Sequence, residues 1–453
     1  MEALLNSVNY IIGLGAAVFL PIIMFGLGLL FGLKPGRALR SGIMFGVAFT
    51  AVNIFISQLL VGQIAPIAKE AVTQSGLELT ALDVGWSAAS MISWAWPYAA
   101  TMFPIQIAVN ILMLAIGFTS TLNVDLWNVW SKIFAAAVTY FFTGNLILSY
   151  LVAILVVIIE LKLGDYVAIR VQKTSGIPDI TVPHLGMMFL LPIMPLAYLL
   201  DRIPALNKSP LDAAALRRKF GFIGDPMILG AIMGILLGLI SGSGITATLK
   251  LSITVATVML VLPRLASIFS EALQPISEAA AEFMKRRFPG KKVYIGLDWP
   301  VLAGNESVIT SSIILIPVLV LLAFIIPGNK TLPFGDVANF ASILMGAAVI
   351  SKGDLRKTLI MGIPILAIAL MGASAVATPF TQLAQSVGYE MPAGAAEITW
   401  LKTSPVVWGL FGFLEKNFII GIVMVVLGLI SFYILKKFYA EPDLKELEES
   451  QNK

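Results

Sequence analysis

The chain reads as an all-α polytopic membrane protein, with about 11 transmembrane helices, two inverted five-helix repeats and re-entrant elements. Three observations predict it. First, the composition is that of a lipid-embedded chain: of 453 residues, 58% are hydrophobic and 12% charged, against roughly 25% charged for a soluble domain, and the mean hydropathy is +0.91. Second, the chain repeats itself at a nearly constant offset of about 210 residues, and an internal repeat constrains the fold before any single element does. Third, matching loops of the two halves carry opposite charge bias. Lys34, Arg37 and Arg40 follow the first apolar segment, while the equivalent loop has only Lys250. In the next loop, residues 67–82 hold only Lys69, whereas residues 276–294 hold Lys285, Arg286, Arg287, Lys291 and Lys292. Short cytoplasmic loops collect Lys and Arg, so the halves sit upside down relative to each other.

The repeat is visible as ordered pairs of segments. Pro21-Ile-Ile-Met-Phe-Gly-Leu-Gly matches Pro226-Met-Ile-Leu-Gly-Ala-Ile-Met-Gly, and Ala65-Pro-Ile-Ala matches Gln274-Pro-Ile-Ser. Asp83-Val-Gly-Trp86 faces Gly296-Leu-Asp298-Trp299. Thr121-Leu-Asn-Val-Asp125 faces Thr331-Leu-Pro-Phe-Gly-Asp336, and Thr143-Gly-Asn145 faces Lys352-Gly-Asp354. Inverted repeats are common in transporters, where substrate sits between the halves near the bilayer midplane. A duplicated channel or membrane enzyme would show the same pattern.

A spanning helix needs about 20 mostly apolar residues. Candidates lie at 8–32, 41–64, 97–117, 126–143 and 145–162, then at 223–241, 248–266, 306–326, 335–351 and 357–373, with a last one at 418–435. The expected organisation is a first repeat over 1–175, a re-entrant element and cytoplasmic linker over 176–219, and a second repeat over 220–375. A re-entrant counterpart follows over 376–417, then a final span over 418–440 and a charged cytoplasmic tail over 441–453. The apolar stretch 185–200 must enter and leave on one side, because Lys162, Arg170 and Lys173 before it and Arg217, Arg218 and Lys219 after it all belong inside. Pro183, Pro192 and Pro195 break it, and broken backbone at membrane depth must be covered by protein or line a cavity. Shorter re-entrant pieces are expected around 83–96 and 296–304. The N-terminus lacks the positive region of a cleaved signal peptide, so the first apolar run is expected to be retained. It lies outside and the C-terminus inside.

Absences narrow the chemistry. No cysteine and one histidine exclude disulfides, cysteine nucleophiles and cysteine or multi-histidine metal sites; no cofactor is implied. The net charge of +4 needs no nucleic-acid partner, since the cations sit in loops. Gly230, Gly234 and Gly238 form a small-residue face for close helix packing.

Ionisable residues inside a membrane are costly and face a cavity or the bundle interior. His184, at the tip of the re-entrant element, can donate and accept towards a sugar hydroxyl or take a proton; a local carbonyl would satisfy it equally. Asp298, beside Trp299 and before Asn305 and Glu306, suits polyol hydroxyls, and it also suits a helix N-cap. Asp83 with Trp86 repeats that motif, so one copy could bind while the other shapes the scaffold. Asp125 with Asn128, and Asp336 with Asn339, share a three-residue spacing that places both side chains on one helical face. N-capping explains the aspartates; the asparagines lie one turn into the membrane.

At these residues the chain resembles the membrane (IIC) subunit of bacterial phosphotransferase-system galactitol permeases. The resemblance covers almost the whole length. It is carried by Asn123-Val-Asp-Leu-Trp-Asn-Val-Trp130, Lys162-Leu-Gly-Asp165, Arg218-Lys-Phe-Gly221 with Gly224-Asp-Pro226, Ile295-Gly-Leu-Asp298, Pro327-Gly-Asn-Lys-Thr-Leu-Pro-Phe-Gly-Asp336 and the Val-Pro-His core at His184. In that family a glycine is expected directly after the Pro-His pair; here Leu185 intervenes before Gly186. The resemblance implies a homodimer in the bacterial cytoplasmic membrane, similar to ascorbate permeases of the same superfamily, and an elevator-like movement. It implies a sugar alcohol carried inward and phosphorylated by subunit IIB, which holds a phosphocysteine and is recharged by a phosphohistidine on IIA. Neither soluble subunit is fused here, so both are separate chains. Residues expected at the substrate are His184, Asp298, Asp83, Trp86, Asn128, Asn305, Glu306 and Asp336. Two other readings stay open: an ion-coupled secondary transporter using Asp298 or Glu306, and an intramembrane aspartyl protease using Asp298 and Asp336, though its Gly-x-Gly-Asp loop is missing.

Overall fold

The computed structural model describes residues 16–55, 79–123, 127–208, 226–287, 293–333, 341–389 and 395–451, with isolated positions between them such as Leu211, Gly335 and Asp336, and without Gly304 and Lys416. Met1, Lys69, Asp125, Arg217, Arg218, Lys219, Lys291, Lys292 and Asn339 lie outside the described residues.

Two helical hairpins open the two halves of the chain. Helix α1 (Ala16–Leu30) turns at Gly32 into α2 (Pro35–Phe55), and later α8 (Pro226–Ile240) turns at Gly242 into α9 (Ile245–Arg287). Small residues close both: a Cβ at Gly28 would lie 2.9 Å from Ala38 Cβ, and one at Gly234 only 2.5 Å from Ser252 Cα. Helices α2 and α9 then pack on each other.

After its hairpin, the first half continues with strand β1 (Ala81–Asp83), helix α3 (Gly85–Trp94), helix α4 (Met102–Ala115), strand β2 (Thr121–Asn123), helices α5 (Trp130–Thr143) and α6 (Leu146–Ser175), strand β3 (Ile180–Thr181) and the short helix α7 (Met194–Leu200). After α9 come strand β4 (Tyr294–Gly296), helix α10 (Pro300–Ala303), helix α11 (Glu306–Ile325), strand β5 (Thr331–Leu332), helices α12 (Ala341–Ile350) and α13 (Leu355–Ser386), strand β6 (Glu397–Thr399), helix α14 (Pro405–Leu414), helix α15 (Phe418–Ile434) and helix α16 (Glu441–Gln451). The matched loops 143–145 and 352–354 do the same job. Gly144 and Gly353 take left-handed φ of 66° and 80°, after which Asn145 and Asp354 accept from the first amides of α6 and α13. Such side-chain acceptors satisfy donors that a helix start leaves unpaired.

Among the described residues four helices are long and apolar enough to cross a membrane: Leu146–Ser175, Glu306–Ile325, Leu355–Ser386 and Phe418–Glu449. Residues 176–203 instead form short pieces, a 3-10 stretch Leu185–Leu190 and the seven-residue α7, about 10 Å of helix at 1.5 Å per residue. Helix α14, 10 residues long, is the matching short piece near the other end.

Two expected loops are helical. The segment carrying Lys162, Arg170 and Lys173 continues α6 for another three turns, and the cationic stretch from 276 continues α9 to Arg287. The second run, 276–287, is rich in Ala, Glu, Lys and Arg, whose helix propensity is high; loop charge does not by itself end a helix. The last turns of α6 hold the C-terminal helix. Arg170 Nε lies 2.6 Å from Asp443 Oδ2, with the guanidinium 4.7 Å from the Tyr439 ring centre, and Lys173 pairs with Glu446 at 2.9 Å.

The six strands make two three-stranded parallel sheets that hydropathy did not announce. One has the order β5-β1-β6, the other β2-β4-β3. Each places one strand from one half of the chain between two from the other. Their registers also correspond: Ala81 pairs with Thr331 as Tyr294 pairs with Thr121, and Leu82 pairs with Ile398 as Ile295 pairs with Ile180. Strands of two or three residues cannot stand alone; here apolar helices bury them, and Ile180, Ile295 and Ile398 join a continuous core.

Candidate functional site

In a parallel sheet all strands end on one side, so residues just past β2, β3 and β4 are delivered to one place. Three are polar. Asp298 lies two residues beyond β4, His184 three beyond β3, and Asn128 sits in the one-turn 3-10 helix Trp127–Val129 after β2. The sheet is tight where they emerge: a Cβ at Gly296 would lie 2.6 Å from Pro183 Cγ and 2.9 Å from Asn123 Cα. His184 Nδ1 accepts the Gly186 amide at 3.0 Å, which puts the proton of a neutral ring on Nε2. Glycine is needed at 186, since a Cβ there would stand 2.0 Å from the Ser342 carbonyl oxygen. His184 Nε2 faces Asp298 Oδ1 at 3.7 Å, and these side chains keep 10% and 18% of their surface exposed. That separation is too long for a direct hydrogen bond, and a hydroxyl approaching from one side, about 2.8 Å from each atom, could accept from Nε2–H while donating to the carboxylate. Asp298 Oδ1 also accepts the Trp299 amide at 2.6 Å.

The other sheet ends differently. Asp83, the last residue of β1, accepts the amides of Gly85 and Leu401 at Oδ1 (3.2 and 3.0 Å) and of Asp336 at Oδ2 (2.8 Å). Asp336 accepts the Trp86 amide at Oδ1 (3.1 Å) and the Trp400 indole at Oδ2 (2.6 Å), and Lys402 Nζ stands 3.5 Å from the latter. The Lys402 and Asp336 side chains are 5% and 0% exposed. The two loops touch backbone to backbone at Gly85 and Gly335, where a Cβ on Gly335 would meet Gly85 N at 2.1 Å. Two carboxylates face one ammonium in low dielectric, which is tolerable because five N–H donors stabilise them as well. Every oxygen of Asp83 and Asp336 is committed to this knot.

Thus the structure brings His184 and Asp298 together and ties Asp83, Asp336 and the Trp86 backbone into the other end. Asn305 caps α11, its Oδ1 accepting from Ser307 and Val308 at 3.0 and 3.3 Å, and Glu306 is exposed in the first turn. Sequence reasoning missed Lys402 and Trp400. The signal was present: Ile180-Thr-Val-Pro-His184 and Ile398-Thr-Trp-Leu-Lys402 share Ile-Thr followed by a basic residue at the same spacing, and register puts them at equivalent places in the two sheets. Trp400 packs at a tilt against Trp130 with ring centres 4.5 Å apart and edge-on against Phe134 at 5.0 Å. It also missed Lys132, whose ammonium donates to the Asn128 carbonyl at 3.2 Å and pairs with Glu160.

Long apolar helices around a small, partly accessible polar cluster define a multi-spanning membrane protein. Residues 10–394 match the model of the EIIC-GAT family, the PTS system sugar-specific permease component, and the chain belongs to that family. It is 34% identical over 442 residues to a putative permease IIC component of Escherichia coli K12, covering 97% of this chain and all of that protein. It is 33% identical over 402 residues to the galactitol-specific EIIC component of the phosphotransferase system in the same strain, covering 87% of this chain and 89% of that protein. The protein with the same description in strain O157:H7 matches equally. This chain is the membrane permease subunit of a sugar phosphotransferase system, and a bacterial membrane protein.

Proposed function

We propose that the subunit binds galactitol or a related sugar alcohol between His184 and Asp298 and carries it inward for phosphorylation by a separate subunit IIB. The observation that carries this reading is the 3.7 Å gap between His184 Nε2 and Asp298 Oδ1 at an end of the sheet that stays partly exposed. A polyol offers neighbouring hydroxyls that both donate and accept, which this donor–acceptor pair matches. In the transfer, the S–P bond of phosphocysteine on IIB breaks and an O–P bond to the polyol forms; Asp298 accepts the hydroxyl proton and the thiolate leaves. Orienting the attacking hydroxyl and taking its proton is what a phosphoryl-transfer site asks of a carboxylate. IIA then recharges IIB from its phosphohistidine.

The architecture belonging to this reading is eleven spans in two inverted five-helix repeats, moving as an elevator in a homodimer, with the N-terminus outside and the C-terminus cytoplasmic. Reciprocal strand orders and equivalent registers of the two sheets support the repeat. Loop charges and the short helical pieces of 176–203 support a segment that does not cross. With cysteines placed singly at Lys173 and Lys208 of this cysteine-free chain, an impermeant thiol reagent should label neither in intact cells. Labelling of either removes the re-entrant assignment.

The function is tested in membrane vesicles with purified IIA and IIB. Uptake of labelled galactitol should require both phosphorylated partners and yield phosphorylated product. Accumulation of unmodified polyol under a proton or sodium gradient alone would replace this reading with ion-coupled transport.

A further inference from the structure

A buried ion pair stands behind the site and has no part in the chemistry above. Lys132, in the first turn of α5, and Glu160, midway along α6, are each 1% exposed and paired with each other. Removing two charges from water costs more than their attraction commonly returns, so such a pair is weak support for stability and points to another use. We propose that Lys132 and Glu160 are positioning residues of the polyol site, with the Lys132 ammonium fixing Asn128 and the Glu160 carboxylate anchoring that ammonium on the helix face that backs His184. This inference rests on the function proposed above.

Two contacts carry it. Lys132 Nζ donates to the Asn128 carbonyl at 3.2 Å, which Ser131 Oγ also engages at 2.8 Å. The 3-10 turn bearing the Asn128 side chain is thereby pinned from its C-terminal end. Glu160 sits one helical turn before Gly164, on the same face of α6. A Cβ on Gly164 would lie 3.3 Å from Pro183 Cβ and 3.1 Å from Thr121 Oγ1, and Thr181 Oγ1 donates to the Gly164 carbonyl at 2.6 Å. This face of α6 is therefore the wall against which β2 and the Thr181–His184 segment are set. Lys132 thus joins residues that follow two strands: Asn128 after β2 directly, and His184 after β3 through the helix that holds its partner. A site must be held to a fraction of an ångström by groups that do not touch the ligand.

The full-length protein in detergent tests this with size-matched variants, reading thermal unfolding and galactitol affinity together, then KM and kcat with phosphorylated IIB. Lys132→Met and Glu160→Gln singly leave a lone buried charge and are expected to destabilise. The apolar double variant Lys132→Met/Glu160→Leu should unfold near the wild-type temperature yet bind galactitol about 10-fold or more weakly, as loss of a charged hydrogen-bond donor does. Lys132→Arg, which keeps both the pair and a donor, should restore affinity to within about threefold. The exchanged pair Lys132→Glu/Glu160→Lys keeps the attraction but removes the donor from Asn128, and should stay weak. Wild-type affinity in the double or exchanged variant overturns the inference, as does a double variant that no longer folds, because the pair would then serve stability. If the wild type itself bound no galactitol, the functional reading would fail instead.

Discussion

The two sheets are built to the same register, yet their ends do opposite work. Where β1, β5 and β6 stop, Asp83, Asp336, Trp400 and Lys402 satisfy one another completely and exclude solvent. Where β2, β3 and β4 stop, the residue equivalent to Lys402 is His184, and the position equivalent to Asp83 is Gly296. One end is closed, with two carboxylates held by five N–H donors and an ammonium beside Asp336; the other has one carboxylate and one imidazole held 3.7 Å apart. What separates a scaffold from a site here is access: the His184 and Asp298 side chains keep 10% and 18% of their surface exposed, those of Lys402 and Asp336 5% and 0%. A buried, mutually bonded cluster specifies how loops pack, whereas a partly exposed donor and acceptor can face a ligand.

The comparison breaks most easily at the closed end. Asp336→Ala would leave Lys402 and the Trp400 indole unpaired in the core, at a cost of about 3–5 kcal/mol. Thermal unfolding in detergent, or failure to insert, should report it. Asp298→Ala, at the open end, should shift stability by less than about 1 kcal/mol. Equal losses at the two ends would erase the distinction.

Next in size is the open end's loss of ligand. His184→Ala and Asp298→Asn each remove a hydrogen bond to a charged or strongly polar partner, about 1.5–3 kcal/mol or 10- to 150-fold in affinity. Titration calorimetry with galactitol on protein that still inserts should show this. Wild-type affinity in both single variants moves the pair to a structural role.

Gly296→Ala sharpens the comparison from the backbone side. The added methyl meets Pro183 and Asn123, and overpacking of this kind costs about 1–3 kcal/mol. Both stability and polyol affinity should fall, since the His184 and Asp298 segments are pushed apart. Unchanged affinity would mean that the sheet does not set the gap.

The smallest effects belong to the residues at the start of α11. Asn305→Ala should cost about 1 kcal/mol of stability through the lost cap, and Glu306→Gln about 0.5 kcal/mol or less, neither changing affinity. An affinity loss in Glu306→Gln would return that carboxylate to the site.

The long apolar helices were legible because apolar run length is a local property. The short strands were not. Two or three residues carry no period, and their stability comes from partners 115 to 316 positions away, as in the pairings of Ile180 with Ile295 and of Ala81 with Glu397. Lys162, Arg170 and Lys173 were read as marking a loop, although Arg170 is consumed by Asp443 on the far side of the sequence. Asp83 and Asp298 looked interchangeable because both precede a tryptophan closely. Only the spatial neighbours tell them apart: Asp83 meets Asp336 and Leu401, and Asp298 meets His184. Lys402 was missed for a related reason, since the second-half counterpart of the His184 element was located only as a broad stretch.

The central claim is that galactitol occupies the open end and never the closed one. A structure of the full-length protein determined with galactitol bound tests this most directly. The account predicts a hydroxyl of the polyol between His184 Nε2 and Asp298 Oδ1, with Asn128 facing it and the Asp83–Asp336–Lys402 knot intact. Polyol seated against Lys402 and Asp336, with the His184–Asp298 gap empty, would contradict it.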